Sequence, residues 1–214
     1  MELSDLIYRG SNISDQDILQ DLPESYRRLL LQINGFIAFD GGLHIRGAVV
    51  APEWHSLRFI WKGDHALYKL FTNLRSTDIP FGQDYIGDQF ILREEKVYRL
   101  TAENGELKDL EMDLDGFLKR SRENPVEFLT LHPLLQFQSE GGKLQPGQLL
   151  NALPPYIMKE SENGVTLRAI PMFEQITFLA DFADQIFGVP DGVEIKLKVV
   201  DGAGTSHDWQ MKGH

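Results

Sequence analysis

The sequence predicts an α+β fold, an antiparallel twisted sheet flanked by helices, with a C-terminal strand–helix–strand extension. Three observations predict it. The run Leu22-Pro23-Glu24-Ser25-Tyr26-Arg27-Arg28-Leu29-Leu30, continuing to Ile33-Asn34-Gly35, reads as a helix with its own stop. The run Ile79-Pro80-Phe81-Gly82-Gln83-Asp84-Tyr85-Ile86-Gly87-Asp88-Gln89-Phe90 reads as a strand entry, a glycine turn and the start of a strand pair. Helix, meander of strands and closing helix follow in that order, which is the layout of a segregated α+β layer.

The elements follow from local chemistry. Ser14 and Asp15 suit the cap of a short helix ending near Leu19. Pro23 suits a first helical turn, where its missing N–H has no intrahelical partner. Tyr26, Leu29, Leu30 and Ile33 then form one apolar stripe, and Asn34-Gly35 supplies a left-handed stop. Strands over 36–39 and 43–45 flank an Asp40-Gly41-Gly42 turn. Leu67, Leu70, Phe71 and Leu74 repeat at helical spacing, predicting a helix over 64–74. Strands over 89–93 and 97–101 pair across Arg93-Glu94-Glu95-Lys96. A second turn, Glu103-Asn104-Gly105-Glu106, leads to a strand near 107–110, and an amphipathic helix spans 113–122. Glycines and Pro146 break the pattern over 139–147. Beyond the break, alternation predicts a strand over 165–170, a helix over 173–187 and a strand over 193–200.

Composition bounds the chemistry. The 214 residues are 42% hydrophobic, enough for a substantial core. The absence of cysteine excludes disulfides, thiolate zinc sites and a cysteine nucleophile within this sequence. The opening residues show no signal-like apolar stretch, and no run approaches the roughly 20 apolar residues of a membrane helix. A cytoplasmic location and no membrane partner are the expectation. A net charge of −11 disfavours nucleic acid, since the longest basic cluster is Lys119-Arg120-Ser121-Arg122. It favours capture of a basic protein, or serves solubility alone.

The Leu-Pro, Tyr26, Leu29-Leu30 and Asn34-Gly35 helix, followed by P-F-G-x-D-x-x-G-D-x-F and a hairpin, resembles the SMI1/KNR4 family of the SUKH superfamily across residues 20–120. The resemblance implies residues 1–138 as an SMI1/KNR4-like domain, with 139–214 an extension packing on or extending the same fold. It implies an architectural role for Pro23, Tyr26, Leu30, Gly35, Pro80, Phe81, Gly82, Gly87 and Asp88. It also implies a bacterial immunity-type function: binding and neutralising a cognate toxin by occlusion, without catalysis. The alternative is an intracellular scaffold for an endogenous partner. Neither the stretch 51–62 nor the region beyond 140 is matched by the family's motifs.

The remaining constellations are weighed individually. No nucleophile elbow, zinc-protease helix, phosphate loop or dinucleotide fingerprint is present. The six histidines (His44, His55, His65, His132, His207 and His214) are scattered, so neither a metal nor a cofactor is expected. Asp84 and Asp88 bracket a glycine turn but lack the alternating acids of a calcium loop, so they read as turn-shaping residues. Trp54, Phe59 and Trp61 read as a partner-anchoring patch or as aromatics packed beneath the first helix. Asp109, Glu111, Asp113 and Asp115, with Glu94, Glu95, Glu103 and Glu106 on neighbouring turns, would make one end of the sheet negative. The partner-binding candidates are therefore Trp54, Trp61, Asp84, Glu94, Glu95, Asp109, Glu111 and Asp113.

Overall fold

The computed structural model describes residues 6–189 and the backbone of Glu194–Val200 and Ser206–Lys212. Seven antiparallel strands form one sheet in chain order: β1 (Tyr8–Arg9), β2 (Phe36–Ala38), β3 (Leu43–Ile45), β4 (Ile79–Asp84), β5 (Gln89–Arg93), β6 (Lys96–Thr101) and β7 (Glu106–Asp109). Strict sequential order follows from tight turns. Glu94 and Glu95 both take positive φ (52° and 64°) between β5 and β6, the backbone twist that a two-residue hairpin requires. Between β4 and β5, one oxygen of Asp84 accepts the N–H groups of Ile86, Gly87 and Asp88, each at 3.0 Å. Gly87 sits there at φ 114°.

Each sheet face carries its own core. On the first, Leu43, Ile45, Phe81, Phe90, Leu92 and Val97 cluster with the apolar stripes of two helices, α2 (Glu24–Gln32) and α4 (Leu114–Glu123). The short α1 (Gln16–Gln20), capped by Asp15 as its sequence predicts, joins this core through Ile18 and Leu19. Phe117 stands at the centre, with ring centroids 5.4 Å from Phe81 and 4.6 Å from Phe90. On the second face, Ile91 and Leu100 meet Ile60, Leu67 and Phe71. Residues Leu149, Met172, Ile176 and Leu179 of the later chain complete that core.

Several expectations need correction. The predicted helix over 64–74 is only a 3₁₀ turn, Leu67–Lys69, followed by isolated turns. Its apolar residues are buried all the same, Leu67, Phe71 and Leu74 among them. Side-chain bonds replace a helical ladder beyond the turn: Asp78 accepts the Arg75 N–H at 2.7 Å, and Asn73 donates to Gly105 O. Conversely, helix α3 (Leu57–Trp61) forms in the stretch read as a loop, capped by Ser56. Two further helices, α5 (Pro125–Phe128) and α6 (His132–Ser139), were not foreseen.

The extension is not a simple strand–helix–strand. A strand β8 (Gln148–Leu153) pairs with β9 (Thr166–Pro171), and helix α7 (Met172–Ile186) follows. Two last strands, β10 (Glu194–Val200) and β11 (Ser206–Lys212), pair only with each other. Neither pair joins the seven-stranded sheet; β8 and α7 cover its second face, with Leu150 N–H bonded to Tyr85 O at 2.7 Å. No described helix is long and apolar enough to cross a membrane.

Candidate functional site

The motif residues build the frame. Pro23 precedes α2 and its carbonyl accepts the Arg27 N–H at 3.0 Å. Tyr26 donates its hydroxyl to the carbonyls of Arg46 (2.7 Å) and Phe81 (3.3 Å), tying α2 to the sheet. Burial pushes its ionisation far up. Leu30 is buried in the first core. Gly35 turns at φ 76°, and a side chain there would lie 2.5 Å from the His55 ring. In β4 the register slips between Pro80 and Gly82, with Phe81 in the first core. Asp88 accepts the Ala102 N–H at 2.9 Å and Arg99 Nε at 2.8 Å, while Arg99 also reaches Asp84 at 3.0 Å. Burial and the neighbouring Asp88 carboxylate push Asp84 up to about 7, against the pull of Arg99 and the turn amides.

Beneath the second core lies a polar cluster that sequence reasoning missed. Arg46 is fully buried and meets no carboxylate among the described residues. Its guanidinium donates to Pro80 O (2.7 Å), Gly82 O (3.1 Å), Gln83 Oε1 (2.5 Å) and Gln89 Oε1 (2.7 Å). Its Nε finds no partner among the described residues, and burial draws its pKa down to about 10. Two residues away, His44 Nε2 lies 2.9 Å from His55 Nδ1, and His55 Nε2 lies 3.0 Å from Asn34 O. The Asn34 carbonyl can only accept, so His55 carries its proton on Nε2 and takes the His44 proton on its bare Nδ1. Gly10, Gly35 and Gly47 close around this ring: a Cβ on any of them would come within 2.5–2.7 Å of it. The alternation of His44 and Arg46 beside an apolar strand was the available signal, but a histidine eleven residues away in irregular sequence gave none.

This cluster is sealed. His55 is 0% and His44 4% exposed, and the adjoining cavity, between His44, Gln83 and Gln148, measures ≈10 Å³. That is about the space of one water. Burial holds both imidazoles neutral, His55 down to about 4 and His44 well below its usual value. Two partner-binding candidates, Trp61 and Asp84, are also interior, correcting their assignment, while Trp54 is half-buried. Trp61 is buried and donates to Ser76 O at 3.1 Å. Asp84 is spent on its turn. Trp54 packs against Tyr8 (4.8 Å) and His44 (5.6 Å), with Gly147 pressed on its ring.

The exposed acids divide between two ends of the sheet, because β6 runs back between the turns. Glu94 and Glu95 share an end with Asp109, Glu111 and Asp113; Glu103 and Glu106 stand at the other. Glu103 does not face a partner either: it accepts the N–H groups of Tyr156 (2.9 Å) and Ile157 (3.0 Å), and burial raises its pKa. At the first end, Glu95 accepts the Ser25 hydroxyl at 2.8 Å and Glu94 lies 3.6 Å from Arg75. Asp113 caps α4 by accepting the Gly116 N–H at 2.8 Å. Asp109 accepts the Glu111 N–H at 2.7 Å and stands 3.9 Å from Lys96. Asp109 and Glu111 line an open groove of ≈460 Å³ with Arg120, Asn124, Glu127 and Phe128 opposite. Among the described residues, no three His, Asp or Glu side chains are placed to hold a metal ion.

Comparison with known proteins adds the fold alone. No family model matches the chain, and no curated protein matches it. The structure is similar to the crystal structure of Atu4351 from Agrobacterium tumefaciens, with a TM-score of 0.53 and 12% identity. The match covers 95% of this chain and 94% of that one.

Proposed function

We propose that this chain is a non-catalytic binding protein of the immunity type, which occludes a basic toxin or effector in the cytoplasm, as the resemblance of its two motifs to the SMI1/KNR4 family implies. The observation that carries this reading is the division of polar chemistry in the molecule. The cationic and imidazole groups whose chemistry burial alters, Arg46, His44 and His55, are walled in beside a ≈10 Å³ cavity, beyond the reach of a substrate. The accessible polar surface is an acid-rich end of the sheet bordering an open groove. Negative potential there speeds the encounter with a basic protein, and burial of the Phe128 and Met112 surface slows its departure. No nucleic acid, membrane or cofactor is assigned to it.

Co-expression with a toxin encoded beside it tests the proposal. Growth rescue, with a complex of the purified pair on size exclusion, is the expected result. Absence of both rescue and complex overturns it. An endogenous basic partner captured by the same surface, with no toxin in the neighbourhood, would instead favour the scaffold reading.

A further inference from the structure

We propose that the free edge of β7 and the elbow between α4 and α5 form a slot for one extended segment of the partner, which pairs with β7 as an eighth strand. The inference rests on the binding reading above and names the surface and mode of that binding. Strand β7 ends the sheet order. Leu110 N–H bonds to Val97 O at 2.9 Å, and Lys108 and Glu106 pair with Arg99 and Thr101. In an antiparallel ladder the bonding direction alternates, so Lys108 and Leu110 bond inward to β6, and the Glu106 N–H is taken by Asn104 Oδ1 at 2.9 Å. Leu107 and Asp109 therefore turn their N–H and C=O groups outward, where no described residue takes them.

Opposite this edge, Arg120, Asn124, Glu127 and Phe128 follow one another at i, i+4, i+7 and i+8, one side of the helical elbow. The ≈460 Å³ between them and the edge is a groove of the size that short ligand segments fill. Helix on one side and free strand edge on the other is the arrangement in which a peptide adds a strand. Side chains of an added strand alternate. Those turned toward the elbow meet Met112, the Lys108 side chain and the Phe128 ring, over which Arg120 already lies at 5.1 Å, so these positions take apolar groups and no cation. Those turned the other way lie beside Asp109, with Glu111 at the slot's end. The occupant is thus a segment alternating apolar with Lys or Arg. The edge is four residues long, carries Glu106 and Lys108, and ends at Glu111 with φ 57°, features that exclude indiscriminate pairing and admit a short matched segment.

The test uses a fluorescein-labelled acetyl-Lys-Val-Lys-Val-Lys-Val-amide titrated with the full chain by anisotropy, beside two versions methylated on alternate backbone nitrogens. Strand pairing uses one set of peptide N–H groups, so one methylated version binds about tenfold more weakly and the other binds like the parent. Asp109→Pro, which removes the outward N–H together with the carboxylate, weakens the parent peptide by about tenfold, and its excess over Asp109→Ala reads the N–H. Asp109→Ala, which keeps that N–H, costs about threefold through lost charge. No binding of the parent peptide, or equal binding of all three peptides, overturns the slot. A toxin that binds wild type and Asp109→Pro equally overturns the slot and leaves the binding reading standing. Absence of any toxin complex, with the peptide still discriminating, overturns the binding reading alone.

Discussion

The two faces of the seven-stranded sheet carry different buried chemistry. The first packs rings and aliphatic chains against α2 and α4, its charged cluster, Asp84 and Asp88 with Arg99, being paired with opposite charges; the second holds, among its apolar residues, a guanidinium without a carboxylate among the described residues, two imidazoles and two side-chain amides. An apolar face tolerates volume-conserving change and resents a cavity. A polar interior is satisfied as a set and fails as a set, because a donor removed strands its acceptors in low dielectric. The difference teaches where function is to be sought: the buried polarity is bonded within the fold, and the proposed binding therefore belongs to the rim.

The largest expected effect breaks the first face. Phe117→Ala opens a cavity between Phe81 and Phe90 and costs about 3–5 kcal/mol in urea unfolding. A loss below about 1 kcal/mol would mean that the rings do not form a tight core. Next, Arg46→Met removes the donor shared by four oxygens and costs about 2–4 kcal/mol. Replacing the acceptors as well, in Arg46→Met/Gln83→Leu/Gln89→Leu, recovers most of that loss. Failure of the triple substitution to recover stability would show that the charge itself, not the stranded acceptors, dominates.

Acid sharpens the contrast, since only the second face holds buried histidines. Both bind a proton near pH 6.5 when unfolded and neither does so readily when folded. The stability they contribute is complete above pH 6.5 and lost as pH falls through about 4, where His55 titrates in the fold. Asp84, raised to about 7, has the opposite sign and gains stability as pH falls from 7 toward the unfolded carboxylate value. His44→Gln keeps a donor for His55 and removes one titrating group. The fall in stability between pH 6.5 and 5 is then shallower than the parent's by about 1.4 kcal/mol per pH unit. Parallel profiles for the two proteins would contradict the neutral pair. The smallest effect lies on the rim: Asp113→Ala loses a helix cap worth about 1 kcal/mol, detected as a lower thermal midpoint.

The first face was legible in the sequence because its signals are local. Tyr26, Leu29, Leu30 and Ile33 declare a helix by spacing, and Asp113 to Leu118 declare another. Gly87 and Asp88 declare a turn by residue type. The second face was not legible, because His44 meets His55, and Arg46 meets Gln83 and Gln89, only after the sheet has formed. The stretch 64–74 misled for the same reason: its apolar spacing serves burial in successive turns as well as it serves a helix. Trp54 and Trp61 looked available in a charged segment; tertiary cover makes Trp61 interior, where it bonds Ser76 O, and leaves Trp54 half-buried against Gly147. For the acids, residue type was visible but geometry was not; the reversal of β6 separates Glu103 and Glu106 from Asp109 and Glu111.

Amide hydrogen exchange on the chain, free and bound to its co-expressed toxin, tests most directly the claim that contact is made at the rim and not through the polar interior. The account predicts slowed exchange at Leu107 and Asp109 and across 110–113, with the amides around His44, Arg46 and His55 unchanged. Slowed exchange confined to the region around His44 and His55, with β7 unaffected, would contradict it.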